Sequence, residues 1–331
     1  MVYSATTVFS VHAVPGLLYT VTAARFKVGD AMYAVKAGTR PSDNMGSAGK
    51  ADFTFTGNFV VTDEMQKAFD QEGYFIVRSL LSTEEMTALG SAIDRDEGIR
   101  AHAFDLSDGQ GRCSKLSLWN HPGTDVTGML ARCEKVAGTM EKVLGGEVYH
   151  YHTKLMMKEP RTGGSHVWHQ DYGYWYQNGC LFPDMGSVFI AVDKTDKENG
   201  CLQVIRGSHK LGRIEHIMVG GQTGADEARV EEAKKVLELV YVELDPGDAL
   251  FFHANVLHKS DRNDSDRRRW VFIISYNRAS NNPFKKHHHP CYTPLQKVPN
   301  SAILECTNVD DFTGKNFMDP STDETIKPKS K

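Results

Sequence analysis

No stretch of this 331-residue sequence approaches the ~18 consecutive apolar residues of a membrane-spanning helix, so a bilayer is not an expected partner. A basic surplus is also missing. Lys and Arg number 38 against 42 Asp and Glu, a formal net charge of −4. With a pI near 6.4 the chain has no excess cation to neutralise phosphates, which excludes a general nucleic-acid binder. Cysteine is sparse: six residues at 113, 133, 180, 201, 291 and 306, with no CxxC among them. That spacing offers neither a zinc cage nor a dithiol redox motif, and in a chain this long it reads as reduced thiols of an intracellular protein. The C-terminal Lys-Pro-Lys-Ser-Lys is not a peroxisomal SKL signal.

What is present is an ordinary soluble composition, 40% apolar and 24% charged, in a chain long enough for a large core. Residues 1–52 read as an N-terminal extension, flexible or targeting. They are mildly basic up to residue 41 and end in a linker-like PSDNMGSAGKAD. The expected location is the cytoplasm, with an organelle as the alternative should the first 40 residues act as a targeting peptide. The folded domain is expected over 53–312, followed by a polar, frayed tail over 313–331.

Within the domain, TDEMQKAFDQEG predicts a helix capped by Thr62 or Asp63 and stopped by Gly73, followed by a strand over 74–81. Ser82-Thr-Glu-Glu85 fits a capping box opening a helix to about Arg95. A second helix is predicted from Asp125 to Leu144. After Gly145-Gly146 the pattern changes to strands: 147–160, 187–195, a short one within 197–210, two joined by the Asp245-Pro-Gly turn in 236–258, and 267–279. The polar run 215–235 reads as a helix-compatible excursion over a pocket mouth. The predicted class is mainly β with flanking helices around a jelly-roll, cupin-like double-stranded β-helix.

The chemistry concentrates at WHQDYGYW (168–175). On an extended chain His169 and Asp171 point to one side and Gln170 to the other. One more histidine would complete the two-histidine, one-carboxylate face used by non-haem Fe(II). His253 and His258, both after the Pro246-Gly-Asp turn, are the candidates, and the sequence after His258 carries Ser260, Asn263 and Arg267–Arg269.

Taken together, HQD, ENGCLQVIRGSHK, PGD..FFH and H.S..N.....R resemble the phytanoyl-CoA dioxygenase family of Fe(II)- and 2-oxoglutarate-dependent oxygenases, over roughly residues 62–280. The resemblance implies iron ligands at His169, Asp171 and His258. It implies an arginine for the far carboxylate of 2-oxoglutarate at Arg269, suited by its planar fork, with Arg267 on the same strand face as competitor. It also implies a hydroxyl contact to the same carboxylate at Ser260, a co-substrate or substrate contact at Lys154, and a ring near the co-substrate at Trp175. Lys259 stands where the family has glycine.

The implied cofactors are Fe(II), 2-oxoglutarate and O2, and the implied reaction is oxidation of an unactivated C–H bond with release of succinate and CO2. The carboxylate ligand favours hydroxylation over halogenation, because halogenating relatives lack it. The substrate is expected to be a free small molecule. The alternatives are an acyl-CoA hydroxylase of the same family, a metal-binding jelly-roll protein without turnover, and a hydrolase using metal-bound water. Tyr172, Tyr174, Trp175 and Tyr176 form either a substrate platform or core packing. His150, His152 and His166 read as surface or packing histidines, and His287–His289 as a solvated loop.

Overall fold

A computed structural model describes residues 23–28, 31–36, 51–57, 59–95 and 97–322. Of the expected extension and linker over 1–52, only 23–28, 31–36 and 51–52 are among the described residues, and the last nine residues of the tail lie outside them. Strands β1 (Ala23–Val28) and β2 (Ala31–Lys36) pair as an antiparallel hairpin that belongs to a unit of its own.

The second unit opens with β3 (Asp52–Thr54), α1 (Asp63–Glu72), β4 (Tyr74–Arg78) and α2 (Thr83–Ile93). Both helices follow their caps. Thr62 accepts from the Met65 amide, and Gly73 ends α1 in the left-handed region at φ 83°. Ser82 and Glu85 form the reciprocal capping box, and the Glu85 carboxylate also meets buried Lys135 at 2.6 Å. Next come β5 (Phe104–Ser107), β6 (Cys113–Trp119), α3 (Val126–Arg132) and α4 (Thr139–Leu144). The single helix expected over 125–144 is broken. Cys133 is extended, bridged to Val298, and a π-turn over Glu134–Gly138 restarts the helix.

The remaining strands are β7 (Val148–Lys158), β8 (His166–His169), β9 (Met185–Ala191), β10 (Leu202–Ile205), β11 (His216–Val219), β12 (Gln222–Ala225), β13 (Leu239–Val242), β14 (Ala249–His253), β15 (His258–Ser260) and β16 (Arg269–Arg278). Between them lie α5 (Asp171–Trp175) and α6 (Glu227–Val236), and α7 (Ala302–Glu305) follows.

The large sheet runs β3-β4-β14-β9-β16-β7-β6-β5, and a smaller one runs β13-β10-β15-β8. Alternation along the central strands divides the core in two. Trp270, Phe272, Ile274 and Tyr276 of β16, with Val188 and Ile190 of β9, face the layer of helices α1–α4. Val271 and Ile273, with Phe189 and Ala191, face the other way, onto Leu202, Val204 and Val242 of the small sheet. This is a jelly-roll sandwich with helices on one outer face. The Asp245-Pro-Gly turn carries the chain from one sheet to the other: β13 pairs with β10, whereas β14 pairs with β4 and β9. Gly247 sits at φ 89°, where a Cβ would come within 2.6 Å of the Leu81 carbonyl.

Three further expectations are corrected. The 215–235 excursion is a β11–β12 hairpin followed by α6, not helix throughout. Strands β5 and β6 were not anticipated, although KLSLW alternates. Residues 313–322 do not fray. Lys315 is fully buried in an ion pair with equally buried Asp125 at 2.8 Å, and Phe317 stacks on His102 with ring centroids 3.8 Å apart. Among the described residues no helix is long and apolar enough to cross a membrane.

Removing one partner of a buried ion pair leaves the other charge desolvated and unmatched. Lys315→Ala should therefore lower unfolding stability by ~3–5 kcal/mol in a denaturant titration. An unchanged midpoint would show that the C-terminal segment is not part of the core.

Candidate metal centre

The centre is assembled where β8 ends. His169 is its last residue, Gln170 stays extended, and Asp171 is the first residue of α5. The expected strand through 168–175 thus stops at His169. The one extended residue that follows still keeps His169 and Asp171 on a common side. Gln170 points away and is spent on structure: its amide donates to the Gly212 and Asn255 carbonyls and accepts from the Ile214 amide. Its backbone N–H donates to His216 Nε2 on β11. The β11–β12 hairpin is tied to the metal loop through these contacts.

The third group comes from β15, which pairs antiparallel with β8 so that His258 lies opposite His169. The two ring centroids are 4.0 Å apart. Ligand atoms of His169, Asp171 and His258 all lie within 4.8 Å of one another, and among the described residues this is the group in which three such atoms converge. His253 does not join them. It sits at the end of β14 between Phe69 and His209, and its Nδ1 accepts from the Asn255 amide.

The hydrogen bonds of the two imidazoles decide which atoms are available. His169 Nδ1 lies 2.9 Å from the Val167 carbonyl, and His258 Nδ1 lies 2.9 Å from the Val256 carbonyl. A carbonyl only accepts, so each Nδ1 carries the proton and each Nε2 keeps a lone pair. Burial pushes His169 well toward the neutral form and His258 in the same direction. Asp171 Oδ2 accepts from Ser187 Oγ at 3.0 Å, and Ser187 shares a 2.9 Å bond with Ser275. Two neutral imidazoles with bare Nε2 atoms and one oriented carboxylate fit a divalent metal of the Fe(II) type, with backbone carbonyls and a hydroxyl fixing the donors from behind.

A small cavity of about 70 Å³ opens beside this group. Its walls include Lys154, His166, Phe252, Ser260, Arg269 and Ile273. Arg269, at the start of β16, is 1% exposed. One of its nitrogens donates to the Gly200 carbonyl at 2.9 Å, and Nε has no partner. No described carboxylate lies within ion-pair distance, and burial pushes the guanidinium down to about 10, still charged at neutral pH. Arg267, the competitor, is half-exposed and already paired with Asp196 and Glu198.

Directly opposite Arg269 in the β7–β16 register stands Lys158, equally buried and without an acid partner. Its Nζ donates to Ser260 Oγ at 2.9 Å and to the Asp261 carbonyl, and burial, with Arg269 beside it, pushes the group well below the usual lysine range. Ser260 thereby accepts from Lys158 and keeps its own proton to donate into the cavity. Lys158 escaped the sequence reading. Its signal was parity: it lies four residues beyond Lys154 on one strand, hence on the same face.

Other candidates fall differently. Lys154 lines the cavity, as expected of a contact residue. Trp175 does not; α5 turns its ring away, against Tyr151 and His152, with centroids 5.3 and 5.6 Å apart. Tyr172 packs beside it, Tyr174 bonds the Thr223 carbonyl, and Tyr176 lies under Arg213, so the aromatic run is mostly packing. His166 is a wall residue of the cavity, its ring 4.2 Å from that of His169. The His287–His289 tract is not a solvated loop: His289 is buried against Tyr151 and His152.

Comparison with known proteins gives a consistent picture. A family model described as phytanoyl-CoA dioxygenase (PhyH) matches residues 69–271. The chain is 32% identical to an L-proline trans-4-hydroxylase of Streptomyces griseoviridis over 191 residues, 53% of this chain and 70% of that protein. It is 27% identical to an ectoine dioxygenase of Halomonas elongata over 234 residues, 64% of this chain and 69% of that one. Among solved structures, EctD from S. alaskensis with bound Fe is similar in fold, with a TM-score of 0.61 at 22% identity, over 74% of this chain and 90% of that one.

The geometry separates the two histidines offered for the distal position. After anaerobic loading with Fe(II) and desalting, His258→Ala should retain no stoichiometric iron, whereas His253→Ala should retain it as the unsubstituted protein does. Metal analysis of the protein fraction is the check. Iron lost from the His253 variant and kept by the His258 variant would reverse the assignment.

Proposed function

The chain belongs to the phytanoyl-CoA dioxygenase family of Fe(II)- and 2-oxoglutarate-dependent oxygenases, and from that premise we propose that it hydroxylates a C–H bond of a free small molecule at the His169–Asp171–His258 centre. In this reading those three residues hold the iron. Arg269, the Ser260 hydroxyl and, behind it, Lys158 receive the distal carboxylate of 2-oxoglutarate, and Lys154 reaches the bound co-substrate or substrate from the cavity wall. Bound Fe(II) with 2-oxoglutarate and O2 supplies the oxidising power, one oxygen atom going to the substrate C–H bond and the other to succinate, with loss of CO2.

The observation that carries this reading is Arg269, a buried guanidinium on the wall of the cavity with no described carboxylate within ion-pair distance, and with the basic side chain of Lys158 opposite it. An unpaired buried guanidinium is costly, and burial together with Arg269 already pushes Lys158 toward its neutral form; an anion arriving beside the two offsets that cost. A dicarboxylate with one end on the metal and the other on Arg269 is such an anion. A planar guanidinium can grip it through two parallel hydrogen bonds, and Ser260 adds a donor. A hydrolase using metal-bound water would have no use for that second anion site.

The residues of the chain then have plain tasks. Val167 and Val256 carbonyls hold the imidazoles in the metal-binding tautomer. Ser187 keeps Asp171 turned to the metal. Phe252, Phe189, Leu202 and Ile273 give the cavity an apolar lining that limits water around the reacting atoms. A free small molecule is favoured over an acyl-CoA thioester by the names of the relatives, a proline hydroxylase and ectoine dioxygenases. The acidic pI, which provides no general basic surface for a CoA tail, points the same way.

Arg269→Ala should weaken 2-oxoglutarate binding by ~2–5 kcal/mol, the usual loss on truncating one partner of a buried charge pair. The anaerobic charge-transfer band of the Fe(II)–2-oxoglutarate complex reads this directly. Arg267→Ala should leave the band and its titration midpoint unchanged, and the opposite pattern would move the anchor to Arg267.

A further inference from the structure

The inner face of the large sheet carries a second polar feature that the iron and co-substrate leave unused. His152 on β7, Ser275 on β16 and Ser187 on β9 are register partners, so they form one row across three strands. All three are buried, and Ser187 ends the row on Asp171. By strand spacing the row is roughly 10 Å long. At its far end His152 is 1% exposed, and neither of its ring nitrogens has a hydrogen-bond partner. An unpartnered buried imidazole is costly, which makes it an unusual residue to leave pointing at an enzyme's interior.

The surroundings of His152 are built. The β7–β16 register slips between Ser275 and Tyr276, which makes Tyr151 the extra residue of a bulge. A bulge re-aims a side chain, and here Tyr151 joins His152 on the inner side, both against Trp175. His289 closes the other side, its ring 4.6 Å from that of His152. Asn120 pins His289 by accepting from its Nδ1 at 3.1 Å, and donates to the His288 carbonyl.

The charges on these walls have one sign. β7 contributes Lys154, two residues from His152 on the same face, and the 285–289 segment contributes Lys285 and its histidines. No described carboxylate forms a hydrogen bond or ion pair with His152 or His289, and Lys154 is the cation that acts on both. The histidines do not form a second metal site, because their ligand atoms do not converge as those of the His169 group do.

We propose that His152, with Lys154 beside it and Trp175 across from it, receives the carboxylate of the substrate, and that the substrate is therefore a small free carboxylic acid of amino-acid size. One end hydrogen-bonds to His152, and the carbon skeleton lies along the Ser275–Ser187 row toward Asp171. Burial holds His152 neutral, so it acts as a hydrogen-bond donor and acceptor and Lys154 supplies the charge. The inference rests on the oxygenase reading above and adds the substrate class and a specificity-determining residue.

The test uses the full protein loaded anaerobically with Fe(II) and 2-oxoglutarate. The charge-transfer band is recorded first. Small L-amino acids are then titrated, each against its decarboxylated amine, with L-proline and pyrrolidine as the first pair, and tryptophan emission and the band position are followed. At least one acid is expected to bind about tenfold or more tightly than its amine. His152→Gln, which keeps a donor and an acceptor, should preserve that preference. His152→Phe, which keeps the ring and its packing, should lose it while the Fe(II)–2-oxoglutarate band stays. Amines binding as tightly as acids, no acid binding at all, or Phe keeping the preference that Gln loses would each overturn the proposal. Absence of the band in the unsubstituted protein would instead overturn the oxygenase reading, and this inference with it.

Discussion

The pairing of β15 with β8 that sets His258 opposite His169 is the constraint on which the site depends. Strand pairing brings two side chains on one face to contact distance without any help from the side chains themselves. A slip of one residue would turn His258 to the other face and dissolve the centre. The structure guards that register at both ends. Each imidazole is bonded to the carbonyl two residues before it, and Gln170 ties the turn between the two ligands to the β11–β12 hairpin and to Asn255. Backbone order, tautomer and donor geometry are therefore one arrangement.

A second constraint acts through charge. Lys158 and Arg269 are cross-strand partners in the interior, where like charges would weaken a sheet, and burial with Arg269 opposite pushes Lys158 toward the neutral amine. The fold tolerates the pair because β7 and β16 are long, central, and paired along their whole length. It also places real ion pairs where stability is needed: Lys135 with Glu85 and Lys315 with Asp125, both buried on the helix-covered side. The two buried ion pairs thus lie on the helix-covered face of the large sheet, and the buried guanidinium without a carboxylate lies on the other. That division separates the part of the molecule that holds the fold from the part prepared for an anionic ligand.

The legible parts of the sequence were those set by local chemistry. Thr62, Gly73 and the Ser82–Glu85 box specify helix ends within a few residues of chain, and the structure has them all. The strands over 148–158 and 269–278 were legible from their patterns. The convergence of His169, Asp171 and His258, and of Arg269 and Ser260 on the cavity, followed from ordered motifs. What depended on distant partners was not legible. Cys133 breaks a helix because Val298 pulls it into a bridge. The His287–His289 tract looks like a polar loop until Tyr151 and His152 are seen beneath it. Lys315, in a tail of polar residues, becomes core only because Asp125 is buried 190 residues earlier in the chain and needs a cation. Trp175 leaves the cavity because α5 begins at Asp171, and a helical turn rotates the ring away from the side a strand would have given it.

The same logic explains why β7 carries so much of the chemistry. Its outward residues, such as Leu155 and Met157, pack under the helices and hold the strand still. Its inward residues are Lys158, Met156, Lys154 and His152 in succession, running from the buried arginine past the cavity to the far end of the serine row. Regular pairing with β16 keeps the first three in step. The bulge at Tyr151 ends that regularity beyond Lys154 and sets an aromatic ring against Trp175. A strand anchored on one face and polar on the other can present several groups at fixed spacings, because its backbone is already determined by packing elsewhere. A change of chemistry at His152 therefore leaves intact the metal centre, whose ligands stand on β8, α5 and β15. One scaffold can in this way keep its iron and co-substrate sites while altering what it oxidises.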